Sequence, residues 1–319
     1  MEDYLQTNLG SNVPSLKIDS KLSAKASVVD VLLATLNGDQ FLQQFLDSLS
    51  NQKNVEINLL VSDDGSSDET LNILESNRYK FRRLEIFNGP KKGPCENFFF
   101  LLSKSKAKFI AFADQDDIWL DSHLANAVTI LKSTDKPSLY FTSSETFGEV
   151  KRGEVWPRGV EITLQKSIFA NFARGCTMVF DNKLRDLVLQ ELPLHAIMHD
   201  WWVYLVALTC GNVYFNSNAE IFYRIHTNNY IGLGNKSLIF RLTQLIGRTF
   251  PSIAQLTDLI DIHERNMDID CYRQIMKVLK SLDASFNERL KWAMFSKNRL
   301  RTNLFDEIRL RIALLLFAG

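Results

Sequence analysis

Three aspartates, Asp114, Asp116 and Asp117, stand within four positions of the segment FADQDDIW, immediately after the apolar run KFIAFA. Like charges this close repel, and burial raises the cost. A cation present during the working cycle relieves both. Carboxylates at Asp114 and Asp116, on a loop leaving a strand, suit a hard divalent ion that completes its shell with water and phosphate oxygens. The bland alternative is a solvated turn leading to a helix capped at Asp121, with Asp117 as a helper.

Three further segments carry chemistry-bearing residues. In SDDGSSD, Gly65 permits a tight turn, Asp63 or Asp64 can accept an N–H from a ligand, and Ser67 or Asp68 can cap the following helix. In MHDWW, His199 and Asp200 open an apolar segment, where a carboxylate can act as a general base kept ionised by the helix dipole, or simply as a cap. In YRIHTNN, His226 follows an apolar strand and gains meaning only if it converges on the same place as the acids.

The elements that would position these residues follow from periodicity. Between Ser27 and Ser143, short β-branched or apolar runs (SVVDVLLAT, INLLVS, RRLEIF, KFIAFA, SLYFTS) alternate with stretches at helical spacing (DQFLQQFLDSLSNQ, SSDETLNILESN, CENFFFLLSKS, DSHLANAVTILKS). This alternation predicts a mainly parallel, twisted α/β sheet with helices on both faces. Ligands of such sheets sit at the carboxyl ends of the strands, where TLNG, SDDGSSD and DQDD all fall. Residues 144 to about 163 read as a mobile loop. GCTMVF and NVYF read as further strands, NKLRDLVLQEL and MHDWWVYLVALTCG as helices, and the chain from about 236 onward as a series of helices. The expected division is an N-terminal arm (1–26), a catalytic domain (27–235) and a C-terminal helical region (236–319).

Composition narrows the function. Lys plus Arg and Asp plus Glu both number 37, so no global field points to nucleic acid. The four cysteines are scattered without a CxxC, which suits a reducing cytoplasm and argues against a zinc knuckle. The polar start does not read as a signal peptide, and no apolar run approaches the length of a membrane span. No G-x-G-x-x-G follows the first strand and no P-loop occurs, which sets dinucleotide and P-loop chemistry aside. Residues 288–311 carry seven Lys or Arg against three acids, interleaved with Trp292, Phe295, Leu300, Leu304, Phe305 and Ile308. Such a segment fits either the surface of an anionic membrane, the reading favoured here, or a helical cap packing on the catalytic domain or on a second subunit.

Taken in order, ATLNG, VSDDGSSDET, FADQDDIW, MHDWW and YRIHTNN resemble family 2 glycosyltransferases of the GT-A fold, closest to the bacterial rhamnosyltransferase-like branch that builds surface polysaccharides. The resemblance covers about residues 28–232 and implies the following roles. Ala34 and Thr35 border the nucleotide, and Asp64, with Asp63 beside it, reads the base. Asp114 faces the ribose. Asp116 binds Mn²⁺ or Mg²⁺, with His226 close to the metal, and Asp200 is the catalytic base of an inverting displacement. Asn97 and Arg224 match recurrent positions without an assigned task. Leu36 stands where an aromatic is usual, and His199 where many relatives have Glu. The implied partners are a dTDP- or UDP-sugar and a saccharide or polyprenyl-linked saccharide acceptor. The implied location is the cytoplasm or the inner face of its membrane. The rival readings are a sugar nucleotidyltransferase and a catalytically silent nucleotide-binding module.

Overall fold

The computed structural model describes residues 4–6, 26–148, 152–226, 238–282, 285, 287–290 and 299–315. The strands are β1 (Tyr4–Gln6), β2 (Ser27–Thr35), β3 (Val55–Asp63), β4 (Arg83–Asn88), β5 (Phe109–Ala113), β6 (Ile118–Trp119), β7 (Ser138–Gly148), β8 (Val155–Trp156), β9 (Met178–Asp181) and β10 (Asn212–Ile225). The helices are α1 (Asp39–Ser50), α2 (Thr70–Ser76), α3 (Pro94–Lys104), α4 (His123–Leu131), α5 (Leu164–Phe169), α6 (Asn182–Val188), α7 (His199–Cys210), α8 (Leu238–His263), α9 (Ile269–Leu282) and α10 (Leu304–Leu315).

One sheet runs in the order β1-β10-β7-β9-β5-β2-β3-β4. The pairs β4-β3, β3-β2, β2-β5 and β7-β10 are parallel, and β9 lies antiparallel between β5 and β7. The mainly parallel α/β sheet read from the sequence is therefore present. Side chains alternate across each strand, so a strand covered on both faces must be apolar throughout. Strand β2 does this: Val29, Val31 and Leu33 join the core that includes Leu42, Phe45 and Leu46 of α1, while Leu32 joins the core that includes Phe98 and Leu102 of α3 and Trp202 of α7. The exception is Asp30, fully buried, whose carboxylate accepts the Lys106 and Ala107 N–H groups at 2.6 and 2.8 Å and the Asn58 amide at 2.8 Å.

Several local expectations need correction. Residues 144–148 are not loop. They prolong β7, and β8 folds back to pair Ser144 with Trp156 and Glu145 with Val155. The polar lettering SSET misled because its hydroxyls find partners inside the fold: Ser143 Oγ donates to Pro157 O at 2.7 Å, and Ser144 Oγ accepts from Arg174. The strand read at NVYF continues to Ile225 through two register shifts. The strand read at GCTMVF begins only at Met178, after a short 3-10 turn at Gly175–Thr177. Helix α4 is preceded by Ser122, and Asp121 pairs instead with Lys53. Helix α2 starts at Thr70, and Asp68 serves it from outside by accepting the Thr70 N–H at 3.0 Å. The two helical stretches around Pro251 form the single helix α8. Most of the N-terminal arm, together with Lys291, Trp292, Phe295 and Lys297, lies outside the described residues.

Candidate active site

A cavity of about 530 Å³ opens at the carboxyl ends of β2, β3 and β5. Its lining includes Ala34, Thr35, Asp64, Asp114, Asp116, Asp200 and His226. Five segments separated by up to 192 positions, from Ala34 to His226, thus meet in one place. Asp63 is not among the lining residues. Its carboxylate is occupied within its own loop, accepting the Gly65 and Ser66 N–H groups at 2.9 and 2.8 Å and the Thr35 hydroxyl at 3.1 Å. That anchoring turns the neighbouring Asp64 toward the cavity, where its Oδ1 accepts the Lys91 N–H at 3.0 Å. Gly89 is required beside it, because a Cβ there would sit 2.1 Å from Asp64 Oδ1.

The loop after β5 is locked from two sides. Gln115 uses both ends of its amide on Leu36, accepting its N–H and donating to its carbonyl at 3.2 Å each. This ties the first strand's loop to the aspartate loop and explains an amide among acids. A Cβ at Gly38 would meet Gln115 Oε1 at 2.2 Å, so a side chain there would displace the Gln115 amide. On the other side, Arg224 donates its Nε to Asp116 O at 2.7 Å, its backbone N–H to Asp117 Oδ1 at 2.9 Å and its Nη2 to Gln44 at 2.6 Å. Its guanidinium lies between the Phe41 and Phe147 rings, 4.3 Å from each centroid. Arg224 therefore has a positioning task that the sequence did not disclose.

Asp116 and His226 meet at the cavity wall, with Nε2 2.7 Å from Oδ2. The His226 ring rests on Phe41 with centroids 5.0 Å apart. A carboxylate and an imidazole side by side, on a wall open to a ligand, fit Mn²⁺ or Mg²⁺ bound by few protein groups. Deeper lie Asp114, Asp117 and Cys176, whose ligand atoms fall within 4.8 Å of one another. Burial, then the charge of Asp116, raises Asp114 to about 7 and Asp117 well above the carboxylate range. Burial likewise pushes the Cys176 thiol well up. Burial and like charge thus disfavour the ionised forms of this cluster beside Asp116.

Asp200 enters from the first turn of α7. It accepts the Gly175 N–H at 3.0 Å and the Trp201 N–H at 2.7 Å. Burial raises its pKa to about 6, against the lowering effect of those two N–H groups. The carboxyl is thus fixed in direction and poised near neutrality, as a general base requires. His199 beside it is buried and stacks on Phe98 at 3.9 Å, and burial lowers it to about 3. It is a neutral packing partner under Asp200. Asn97 is buried at the cavity and donates to Ser62 O at 3.3 Å.

The sequence reading missed Trp156, Asn171 and Arg174, which also line the cavity. Trp156 stacks with Phe172, with centroids 5.9 Å apart and planes 14° apart. Arg174 lies over the Tyr223 ring at 4.6 Å. The only available signal was the aromatic in VWPRG, within the stretch read as loop.

A carboxylate-lined cavity at the strand ends of such a sheet is the architecture of the GT-A glycosyltransferases, and solved structures bear this out. Staphylococcus aureus TarS residues 1–349, in complex with UDP-GlcNAc, superposes with a TM-score of 0.56 over 89% of this chain and 79% of that one, at 17% identity. Mannosyltransferase PcManGT from Pyrobaculum calidifontis, in complex with GDP-Man and Mn²⁺, gives 0.53 over 90% and 84%, at 14% identity. Residues 30–186 match the family model Glycosyl transferase family 2 and form a domain of that family. It is similar to dTDP-rhamnosyl transferase RfbG of Shigella flexneri, at 27% identity over 63% of this chain and 73% of that protein. It is also similar to the GalNAc(5)-diNAcBac-PP-undecaprenol beta-1,3-glucosyltransferase of Campylobacter jejuni, at 29% identity over 67% and 70% respectively.

Proposed function

We propose that this family 2 glycosyltransferase is inverting. It moves rhamnose from dTDP-rhamnose, or a hexose from a UDP-sugar as the second choice, onto a lipid-linked or growing polysaccharide acceptor. The observation that carries the proposal is the sharing of one cavity by Asp200 with Asp64, Asp114, Asp116 and His226. Asp64 is suited to accept an N–H of the pyrimidine, and Asp114 to face the ribose. Asp116 and His226 would hold Mn²⁺ or Mg²⁺, which offsets negative charge on a departing diphosphate when bound. Asp200 would take the proton of the acceptor hydroxyl as that oxygen attacks the sugar carbon from the face opposite the leaving group. One displacement needs one base, and Asp200 is held in direction by Gly175 and Trp201. The similarity to a rhamnosyl transferase favours dTDP-rhamnose, and the similarity to a glucosyltransferase named for an undecaprenol-linked substrate favours a lipid-linked acceptor. No helix among the described residues is long and apolar enough to cross a membrane. We place the reaction at the cytoplasmic face of a membrane, reached peripherally.

The test is a donor panel. Release of free dTDP or UDP is measured with Mn²⁺, with and without polyprenyl-linked saccharide acceptors, and the anomeric configuration of any product is read by NMR. Acceptor-dependent release with inversion is expected. Retention would remove the single-base reading. Metal-dependent nucleotide binding without transfer to any acceptor would favour a silent nucleotide-binding module. Pyrophosphate formation from a nucleoside triphosphate would favour a nucleotidyltransferase.

A further inference from the structure

Among the described residues that line the cavity, Arg174 alone carries a permanent positive charge, facing the carboxyl groups of Asp64, Asp114, Asp116 and Asp200. The chain holds it in place at both ends. Its carbonyl accepts the Thr177 N–H at 2.9 Å and the Thr177 hydroxyl at 2.8 Å, closing the 3-10 turn at Gly175–Thr177. Its side chain is half-buried. The guanidinium lies 4.6 Å from the Tyr223 ring centroid, and Nη1 donates to Ser144 Oγ at 2.7 Å. Ser144 is fully buried on β7 and Tyr223 lies on β10, so two strands fix the direction of the fork. What the fork lacks is an anion. Arg185, Arg309 and Arg311 are also half-buried, and each pairs with a carboxylate. Among the described residues no carboxylate pairs with Arg174. Withdrawing a cation from water is costly unless an anion meets it.

We propose that Arg174 grips a phosphate of the substrates, supplied either by the nucleotide donor or by the diphosphate of a lipid-linked acceptor. The proposal deepens the function proposed above and rests on it only for the presence of a diphosphate. A guanidinium matches phosphate oxygens with parallel N–H donors, and the Ser144 and Tyr223 contacts orient this one before any ligand arrives. In a cavity lined by four aspartates, a diphosphate meets repulsion that a fixed positive charge offsets. The residue after Arg174 is Gly175, whose N–H holds Asp200 Oδ2 at 3.0 Å. One short turn of chain thus sets both the phosphate grip and the direction of the carboxyl group.

The test is calorimetry on the full chain at saturating Mn²⁺, with dTDP, UDP and farnesyl diphosphate as probes, the last added after dTDP. Arg174→Gln removes the charge and keeps an amide that can donate to Ser144. Arg174→Lys keeps the charge without the fork. Arg174→Gln should weaken a diphosphate probe by about 10- to 100-fold, and Arg174→Lys should recover part of the loss. Thymidine and uridine binding, read by NMR, and the melting temperature should stay at wild-type values. A loss shared by dTDP and UDP assigns the grip to the donor, and a loss confined to farnesyl diphosphate assigns it to the acceptor. The proposal is overturned if Arg174→Gln binds every diphosphate as tightly as the wild type, if the nucleosides are lost in parallel, or if the wild type binds none of the probes. Sugar transfer in the donor panel with unchanged affinities in Arg174→Gln would remove this residue alone. Lost diphosphate affinity with no transfer from any donor would keep the residue's role and remove the transferase reading.

Discussion

His226 Nε2 lies 2.7 Å from Asp116 Oδ2, although 110 positions separate the two residues in the chain. The contact is supported on both sides. Arg224 holds the Asp116 backbone, and Phe41 lies against both the Arg224 guanidinium and the imidazole. Helix α1, the aspartate loop and the end of β10 are thus one mechanical unit at the cavity wall.

If this pair holds a divalent ion, Asp116→Ala should abolish the Mn²⁺-dependent part of UDP or dTDP binding. His226→Ala should weaken it by about 10- to 100-fold. Calorimetry with nucleoside diphosphate, with and without Mn²⁺, checks both. Chelation of the wild type should reproduce the Asp116→Ala affinity. Equal affinities with and without metal would remove the ion from this wall.

Gly89→Ala should weaken nucleotide binding without unfolding the protein. The new Cβ would fall 2.1 Å from Asp64 Oδ1 and 3.0 Å from the Asp63 carbonyl, so the Asp64 carboxylate must leave the Lys91 N–H. A rise in KM for the donor of about tenfold, with kcat little changed, is the expected pattern for a lost binding contact.

His263 gives a pH prediction for stability. It is fully buried near Trp202 on α7, and burial lowers its pKa from the ordinary 6.5 to about 4. The unfolded chain therefore binds more protons than the folded one between about pH 6.5 and 4. The stability contributed by the neutral ring is full above 6.5 and is lost as pH falls through that window. At most the loss is on the order of 3 kcal/mol. His263→Phe should flatten the fall in melting temperature over that range, and an unchanged slope would assign the acid sensitivity to other groups.

The sheet and the convergence at its edge were legible because both depend on local patterns. Apolar runs of strand length such as KFIAFA alternate with helical spacing, and the acids fall just after the strands. What could not be read depends on partners distant in sequence. Asp63 and Asp64 are chemically alike, and only the turn geometry of Gly65 and Ser66 occupies one and turns the other to the cavity. The strand through Ser144 and Thr146 looks like loop because its hydroxyls are satisfied by Arg174 and by the Glu154 N–H, contacts no spacing rule predicts. Trp156 and Arg174 reach the cavity by the same route.

The most direct measurement takes turnover and nucleotide affinity together on Asp200→Asn. If Asp200 is the base, the wild-type rate should fall about tenfold per pH unit below about 6, the value to which burial raises this carboxyl, and level off above it. Asp200→Asn should bind dTDP or UDP with wild-type affinity and lose transfer by about a thousandfold or more at every pH. A variant that transfers sugar at near the wild-type rate, or that loses nucleotide binding while bound enzyme still turns over, would contradict the assignment of proton removal to Asp200.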